Sequence, residues 1–95
     1  MQSAQQGDAV AQGILGNCYM YGQGVTQSYK SAVEWYRRTA EQGDPIAQFN
    51  LGNCYATGRG VTLSDERAIE LYRQAAAQGH AIAQYNLGVL LKRAR

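Results

Sequence analysis

Residues 43–61 read GDPIAQFNLGNCYATGRGV, and residues 7–25 show the same pattern as GDAVAQGILGNCYMYGQGV. Aligning residues 4–39 with residues 40–75 gives 20 identical positions in 36 and needs no gap. A third, partial copy in residues 76–95 keeps alanine, glutamine, leucine and glycine at the equivalent places. A period of this length predicts one helical hairpin per repeat, so that the whole chain forms a single repeat domain.

The capping residues indicate where the helices begin and end. Asp44 followed by Pro45 is a strong start signal, because aspartate caps free backbone amides and proline fits the first helical turn. Ser28 and Ser64 hold equivalent places before the second helix of each hairpin. The Gly-x-Gly loops end the first helices, and we expect positive φ angles there. The predicted elements are five helices over about residues 8–21, 28–43, 44–57, 64–78 and 80–95, with a stub before Gly7 that reads as the end of another helix.

Composition argues against several classes of protein. Hydrophobic residues make up 45% of the chain and charged residues 17%, which is typical of an ordered chain. The net charge of +2 gives no basis for nucleic-acid binding, and no apolar run reaches the roughly 18 residues of a membrane span. Residues 1–7 are polar and contain no signal-peptide core. We therefore expect a cytoplasmic protein, or a periplasmic or secreted one if a leader segment has been removed.

The repeated residues define a motif. The first copy has Ala11, Leu15-Gly16, Tyr19, Gly22-x-Gly24-Val25, Ala32, Trp35-Tyr36 and Ala40-x-x-Gly43. The second copy has Ala47, Leu51-Gly52, Tyr55, Gly58-x-Gly60-Val61, Ala68, Leu71-Tyr72 and Ala76-x-x-Gly79. The third keeps Ala83 and Leu87-Gly88, but it has Leu91 in place of the tyrosine and no Gly-x-Gly. Over almost the whole chain this motif resembles the Sel1-like repeat family, relatives of the tetratricopeptide repeats, which have shorter turns.

The resemblance implies a fold and a kind of function. It implies an all-α, right-handed superhelix of helix pairs that scaffolds protein complexes and has no catalytic residues. Many bacterial members look like adaptors in signalling, host contact or envelope processes. Others resemble immunity proteins against secreted effectors, and a few are associated with cell-wall substrates. Some secreted members carry two cysteines per repeat that bridge the two helices, whereas this chain has one per repeat.

Two glycines recur inside predicted helices. Gly16 and Gly52 lie where glycine costs about 1 kcal/mol relative to alanine. Because the cost recurs, we expect these positions to let a partner helix approach closely. Ala32 and Ala68 are the matching small residues that we expect on the partner helices.

Side chains that could bind a metal, form a disulfide or catalyse a reaction are few and scattered. Cys18 and Cys54 occupy one position in successive repeats, roughly 8–10 Å apart across stacked helices, whereas a disulfide needs Cα atoms within about 7 Å. Leu90 fills that position in the third copy, so we expect buried free thiols. His80 stands where the previous repeat has Asp44, which favours a helix cap or a solvated residue over a catalytic base. With no nucleophile–base set, phosphate loop or metal-ligand spacing, we predict no enzyme, no cofactor and no metal site.

Charged residues concentrate on the second helices. Lys30, Glu34 and Arg38 have the i,i+4 spacing of helix ion pairs, and we expect a solvated outer face. Residues 92–95 form a basic cluster. We expect this cluster to solubilise an exposed end, and an anionic partner is the alternative.

The first helices are expected to line the concave surface, which is the usual binding groove of hairpin solenoids. The partner-binding residues predicted there are Asn17, Tyr21, Phe49, Asn50, Asn53, Tyr85, Asn86 and Val89, with Ile14, Thr57 and Arg93 beside them. Asn17 would pair with Asn53 across repeats. Asn50 would pair in the same way with Asn86. Asparagine amides suit an extended peptide backbone and aromatic side chains supply apolar anchors, but the asparagines could instead only stabilise packing between repeats.

Several functions remain open at this point. The leading prediction is a scaffold or adaptor that binds a partner peptide or loop in the concave groove. The alternatives are an immunity or anti-effector protein that binds a toxin, and a cell-wall-related enzyme or ligand binder. Residues 89–91 leave apolar surface on a last helix without a partner, which would allow self-association through that helix.

Overall fold

The computed structural model describes residues 9–93, which form five α-helices of 13 residues each and contain no strand. These helices are α1 (Ala9–Tyr21), α2 (Tyr29–Glu41), α3 (Pro45–Thr57), α4 (Asp65–Ala77) and α5 (Ala81–Arg93). The predicted all-α solenoid is confirmed, and the predicted helix ends that fall within this range are correct to within two residues. The stub before Gly7, the helix start at Asp8 and the basic residue Arg95 lie outside the described residues.

The predicted caps start the helices. The Ser28 and Ser64 hydroxyls and the Asp44 carboxylate each accept a hydrogen bond from the backbone amide three residues later, at 2.8–3.2 Å. His80 does the same for α5, because its Nδ1 accepts from the amide of Ala83 at 3.1 Å. The capping role predicted for His80 is therefore confirmed, with an imidazole nitrogen in the place of the carboxylate oxygen.

The Gly-x-Gly loops have the left-handed backbone that was predicted. Gly58 caps α3 with φ +71°, and Gly60 has φ +74°. A Cβ atom on Gly60 would lie 2.5 Å from the carbonyl oxygen of Tyr29, so the second loop lies directly against the start of α2. Only glycine satisfies both the angle and the close approach.

The internal glycines contact tyrosine rings. A Cβ atom on Gly16 would lie 2.6 Å from Cε1 of Tyr36, and one on Gly52 would lie 2.8 Å from Cε1 of Tyr72. The predicted close approach is confirmed, and the nearest atoms belong to the tyrosine of the second helix. The Cδ1–Cε1 side of that ring occupies the space that the missing side chain leaves, and Ala32 and Ala68 are fully buried. The role of matching small residue expected for Ala32 and Ala68 stays a prediction.

Successive helices pack on one another along the chain, α1 on α2, α2 on α3, α3 on α4 and α4 on α5. The result is an elongated solenoid of 44 × 26 × 16 Å. Tyr55 joins neighbouring hairpins, because its hydroxyl accepts a hydrogen bond from Nη1 of Arg37 on the preceding hairpin at 3.5 Å. None of the helices within residues 9–93 has the length and apolar character needed to cross a membrane.

Candidate functional site: a groove on the first helices

A groove of about 360 Å³ opens on the face shared by α1, α3 and α5. Its lining residues are Met20, Tyr21, Tyr36, Asn50, Asn53, Cys54, Ala56, Thr57, Arg59, Tyr72 and Asn86. Four of the eight predicted partner-binding residues line it, namely Tyr21, Asn50, Asn53 and Asn86. Most of the lining residues belong to the first helices, and the second helices contribute Tyr36 and Tyr72.

A tyrosine hydroxyl holds one asparagine amide in each hairpin. The Tyr36 hydroxyl donates to Oδ1 of Asn17 at 2.6 Å, and the Tyr72 hydroxyl donates to Oδ1 of Asn53. Burial raises the pKa of both tyrosines, so each hydroxyl keeps its proton and remains a donor. Because each amide oxygen is occupied, the amide nitrogen remains as the group that each asparagine can offer to a ligand.

One of these asparagines also joins two repeats. Nδ2 of Asn86 donates to Oδ1 of Asn53 at 3.4 Å. A ladder between repeats therefore exists, but the predicted pairing of Asn50 with Asn86 is wrong. Asn86 contacts the asparagine that lies about one helical turn after its own equivalent, Asn50. The Asn53 oxygen thus supports packing, as the alternative interpretation expected.

The four other predicted residues lie outside the groove lining. Tyr85 is 73% exposed, and Val89 is exposed beside it on α5. Asn17 is exposed and contributes through its bond to Tyr36. Phe49 is half-buried, because its ring stacks on His80 at 4.7 Å between centroids. Its packing inside the chain leaves only part of the ring for a partner, and its role as an anchor stays a prediction.

Three exposed β-branched residues on the first helices were not among the predicted partner-binding residues. Val10, Ile46 and Ile82 hold the same place in successive first helices and are 72%, 58% and 59% exposed. We call them the apolar column. The signal was present, since these residues precede the repeated alanine at intervals of 36 residues. Arg59 was missed as well, because as the middle residue of a Gly-x-Gly loop it looked like part of a turn.

Charge is distributed unevenly between the two sets of helices. Helices α1 and α3 contain no charged residue, and α5 contains only Lys92 and Arg93. The only ion pair within residues 9–93 joins Arg93 to Asp65, at 2.9 Å. Helix α2 does not form the i,i+4 ion pairs that were expected for Glu34 with Lys30 and Arg38. The guanidinium of Arg38 lies instead over the ring of Trp35. Arg59 consequently has no carboxylate partner in the described part of the chain.

Both cysteines are free thiols, as predicted. Cys54 is buried, and burial raises its pKa to about 11, so the thiol is a poor nucleophile at neutral pH. Cys18 is only half-buried, which corrects the expectation that both would be buried. Within residues 9–93, no cluster of three or more histidine, cysteine or acidic residues has a geometry that would hold a metal ion.

The repeat pattern matches a known family along nearly the whole described chain. The model of the Sel1 repeat matches residues 9–44, 45–80 and 81–93, and each match begins at the first residue of a first helix. The chain belongs to the Sel1 repeat family. Sel1 repeat proteins are generally protein–protein interaction scaffolds and are typically not catalytic.

Solved structures agree with this assignment. A Sel1 repeat protein from Oxalobacter formigenes superposes with a TM-score of 0.87 at 40% identity, covering 90% of this chain and 64% of that chain. A protective antigen of uropathogenic Escherichia coli with a Sel1-like repeat fold gives a TM-score of 0.88 at 42% identity, covering 90% and 18%. Cysteine-rich protein B of Helicobacter pylori, with a TM-score of 0.83 at 22% identity and coverage of 87% and 62%, is similar in fold alone.

This Sel1 repeat chain therefore spans less than two thirds of the length of these relatives. A comparison with curated proteins gave no match.

Proposed function

We propose that this Sel1 repeat chain is a non-catalytic adaptor that binds an extended peptide or loop of another protein in the groove on its first helices. The observation that carries the proposal is the tyrosine–asparagine pair, which recurs in both hairpins at the same spacing of 19 residues. Each pair holds the side chain of an asparagine on a first helix, exposed at Asn17 and half-buried at Asn53.

The fixed amides suit a peptide backbone. A backbone carbonyl needs a donor, and Nδ2 of Asn17 and Nδ2 of Asn53 are donors that need no rearrangement on binding. Asn50 lines the groove beside Asn53 and adds an amide that can both donate and accept. Tyr21 is 67% exposed at the edge of the groove and supplies the kind of aromatic contact that interfaces favour.

The test is a substitution that removes the donor and keeps the fold. In Asn53→Asp, a carboxylate oxygen still accepts from the hydroxyl of Tyr72 and from Asn86, but the amide nitrogen is lost. Peptides are first selected with the wild-type chain from a displayed library of random peptides, and the Kd of the tightest binders is measured by fluorescence anisotropy. We expect Asn53→Asp to weaken binding about tenfold or more, which corresponds to the loss of roughly one hydrogen bond.

A control variant accounts for the change in net charge. Gln74→Glu adds the same charge to an exposed position of α4, away from the groove, and should leave binding unchanged. Circular dichroism and the Tm show whether each variant is folded. Equal affinity of Asn53→Asp and wild type, or a folded wild-type chain that selects no peptide, would count against the proposal.

A further inference from the structure

We infer that the open face of α5 binds an amphipathic helix of another protein, which runs antiparallel to α5, places a phenylalanine ring on Gly88 and carries an acidic residue opposite Lys92. This site is distinct from the groove of the proposed function, since the two share no lining residue. The inference rests on a comparison of α5 with α1 and α3, each of which is covered by the second helix of its hairpin.

The open face of α5 is a shallow cavity of about 600 Å³. Its lining residues all belong to α5 and are Gln84, Tyr85, Gly88, Val89, Leu91 and Lys92. Leu90 is buried within the chain, which corrects the expectation that all of residues 89–91 leave apolar surface. The exposed apolar side chains are instead Tyr85, Val89 and Leu91, and they lie around a glycine at which a partner can approach the backbone closely.

That glycine distinguishes α5 from the other first helices. A Cβ atom on Gly52 would lie 2.8 Å from Cε1 of Tyr72, and a tyrosine ring covers the equivalent glycine of α1 in the same way. A Cβ atom on Gly88 would meet nothing within 4 Å. Helix α5 therefore presents, uncovered, the face that α1 and α3 bury. Since each buried face holds a helix, a helix is the partner that fits the third.

The second hairpin gives the direction and register of this partner. The ring of Tyr72 lies on Gly52, and Nε2 of Gln78 donates to Oε1 of Gln48 at 3.0 Å. These contacts run forwards along α4 and backwards along α3, so the two helices are antiparallel. The same register on α5 places the ring on the glycine and, six residues later in the partner, an amide donor on Gln84.

A valine decides which aromatic residue fits. On the covered faces Asn17 and Asn53 accept a hydrogen bond from the tyrosine hydroxyl. The equivalent residue of α5 is Val89, whose side chain has no acceptor. A tyrosine hydroxyl buried beside it would lose its hydrogen bonds to water, whereas phenylalanine fills the same space and has no polar group to satisfy. The face therefore favours phenylalanine.

Lys92 decides the charge of the partner. It stands where the other first helices have Met20 and Ala56, and the ion pair of α5 uses Arg93 instead. In an antiparallel pair, a residue one turn after the glycine faces a residue about one turn before the ring, where α4 has Ile69. An acidic residue at that place in the partner complements the ammonium of Lys92.

The same features disfavour a second copy of this chain as the partner. Its α5 contains no acidic residue that could face Lys92. Its one phenylalanine, Phe49, stacks on His80 within the chain. Its second helices are held in their own hairpins, where Tyr36 and Tyr72 are 2% and 3% exposed. The face is therefore assigned to a helix of a different protein.

The experiment uses a synthetic peptide based on α4. Its sequence is that of residues 64–78 with Ile69→Glu and Tyr72→Phe, so it carries the acid, the ring and the terminal glutamine that the face requires. The reference peptide keeps residues 64–78 unchanged. We expect the changed peptide to bind with a Kd about tenfold lower than that of the reference peptide.

NMR of the isotope-labelled chain locates the binding. The amide signals of Gly88 and Val89 should shift, whereas that of Tyr21 in the groove should not. Gly88→Ala should weaken binding about tenfold or more, because its methyl group takes the space of the ring in a face that is otherwise unchanged. Gly13→Ala is the matched control, since this helical glycine of α1 also has nothing within 4 Å, and it should bind like wild type.

Lys92→Gln tests the charge separately. Wild type should prefer the peptide over a version with glutamine in place of its added glutamate by several-fold, and Lys92→Gln should bind the two equally. Unchanged affinity in Gly88→Ala, shifts in the groove instead of α5, or no binding at about 1 mM peptide overturns the inference. A chain that dimerises in sedimentation equilibrium, and no longer does so as Gly88→Ala, assigns the face to a second copy and overturns it too. None of these outcomes bears on peptides bound in the groove.

Discussion

A methyl group at position 52 tests how closely the two helices of a hairpin approach. It would lie 2.8 Å from Cε1 of Tyr72, and that ring is buried and cannot swing into solvent. We expect Gly52→Ala to lower the free energy of unfolding by about 1–2 kcal/mol, because overpacking outweighs the better helix propensity of alanine. Urea denaturation followed by circular dichroism measures the change.

The third repeat supplies the control for this substitution. Gly88 is the equivalent of Gly52, but a Cβ atom there would meet nothing within 4 Å. Gly88→Ala should therefore raise the free energy of unfolding by up to about 1 kcal/mol. If both variants shift stability in the same direction and by the same amount, contact with the tyrosine ring is not the reason for glycine at these positions.

For single residues, the sequence predicted the position of an asparagine in the groove better than it predicted the hydrogen bonds of that asparagine. Asn53 was expected in the groove and lines it, but its oxygen accepts hydrogen bonds from Tyr72 and Asn86. Periodicity assigns a residue to a face, because it depends only on position along the helix. The orientation of an amide depends on a hydroxyl 19 residues later, and no pattern within one helix reveals that contact.

Helix boundaries were the most predictable feature at the scale of the elements. The capping residues bind backbone amides only three residues further along the chain, so local chemistry is sufficient to predict where a helix begins. These residues are Ser28, Asp44, followed by Pro45, and Ser64. The contact between Asn86 and Asn53 was not predictable in the same way. That contact joins two repeats, and it depends on how whole hairpins stack and not on the residues of one helix.

The helices should differ in how readily they open. Helix α3 has a packed neighbour on each side and six buried residues, whereas α5 packs on α4 and buries only Ala83 and Leu90. We expect backbone amides in the centre of α5 to exchange with solvent markedly faster than those in the centre of α3, since opening α5 breaks fewer packing contacts. Hydrogen exchange followed by NMR or mass spectrometry measures both. Equal protection of the two helices would show that the solenoid opens only as one unit.

At the scale of the whole molecule, a buried glutamine joins neighbouring hairpins. Oε1 of Gln48 accepts from Nε2 of Gln78 at 3.0 Å, and Nε2 of Gln48 donates to the carbonyl oxygen of Ala40 at 3.4 Å. Gln48 on α3 therefore binds the ends of α2 and α4 at once. Its equivalent, Gln84, is exposed and donates to the carbonyl oxygen of Ala76 at 3.3 Å.

Replacing that glutamine should separate the unfolding of the two hairpins. We expect Gln48→Ala to lower the free energy of unfolding by about 1–3 kcal/mol, because it removes two hydrogen bonds that join the hairpins and leaves a cavity in place of a buried side chain. Trp35 is the one tryptophan in the sequence and reports on α2, whereas circular dichroism reports on all helices. Urea unfolding is therefore followed by tryptophan fluorescence and by circular dichroism. The transitions seen by these two methods should coincide in wild type and in Gln84→Ala but separate in Gln48→Ala. Coincident transitions in Gln48→Ala, with the midpoint of Gln84→Ala, would mean that apolar stacking alone couples the repeats.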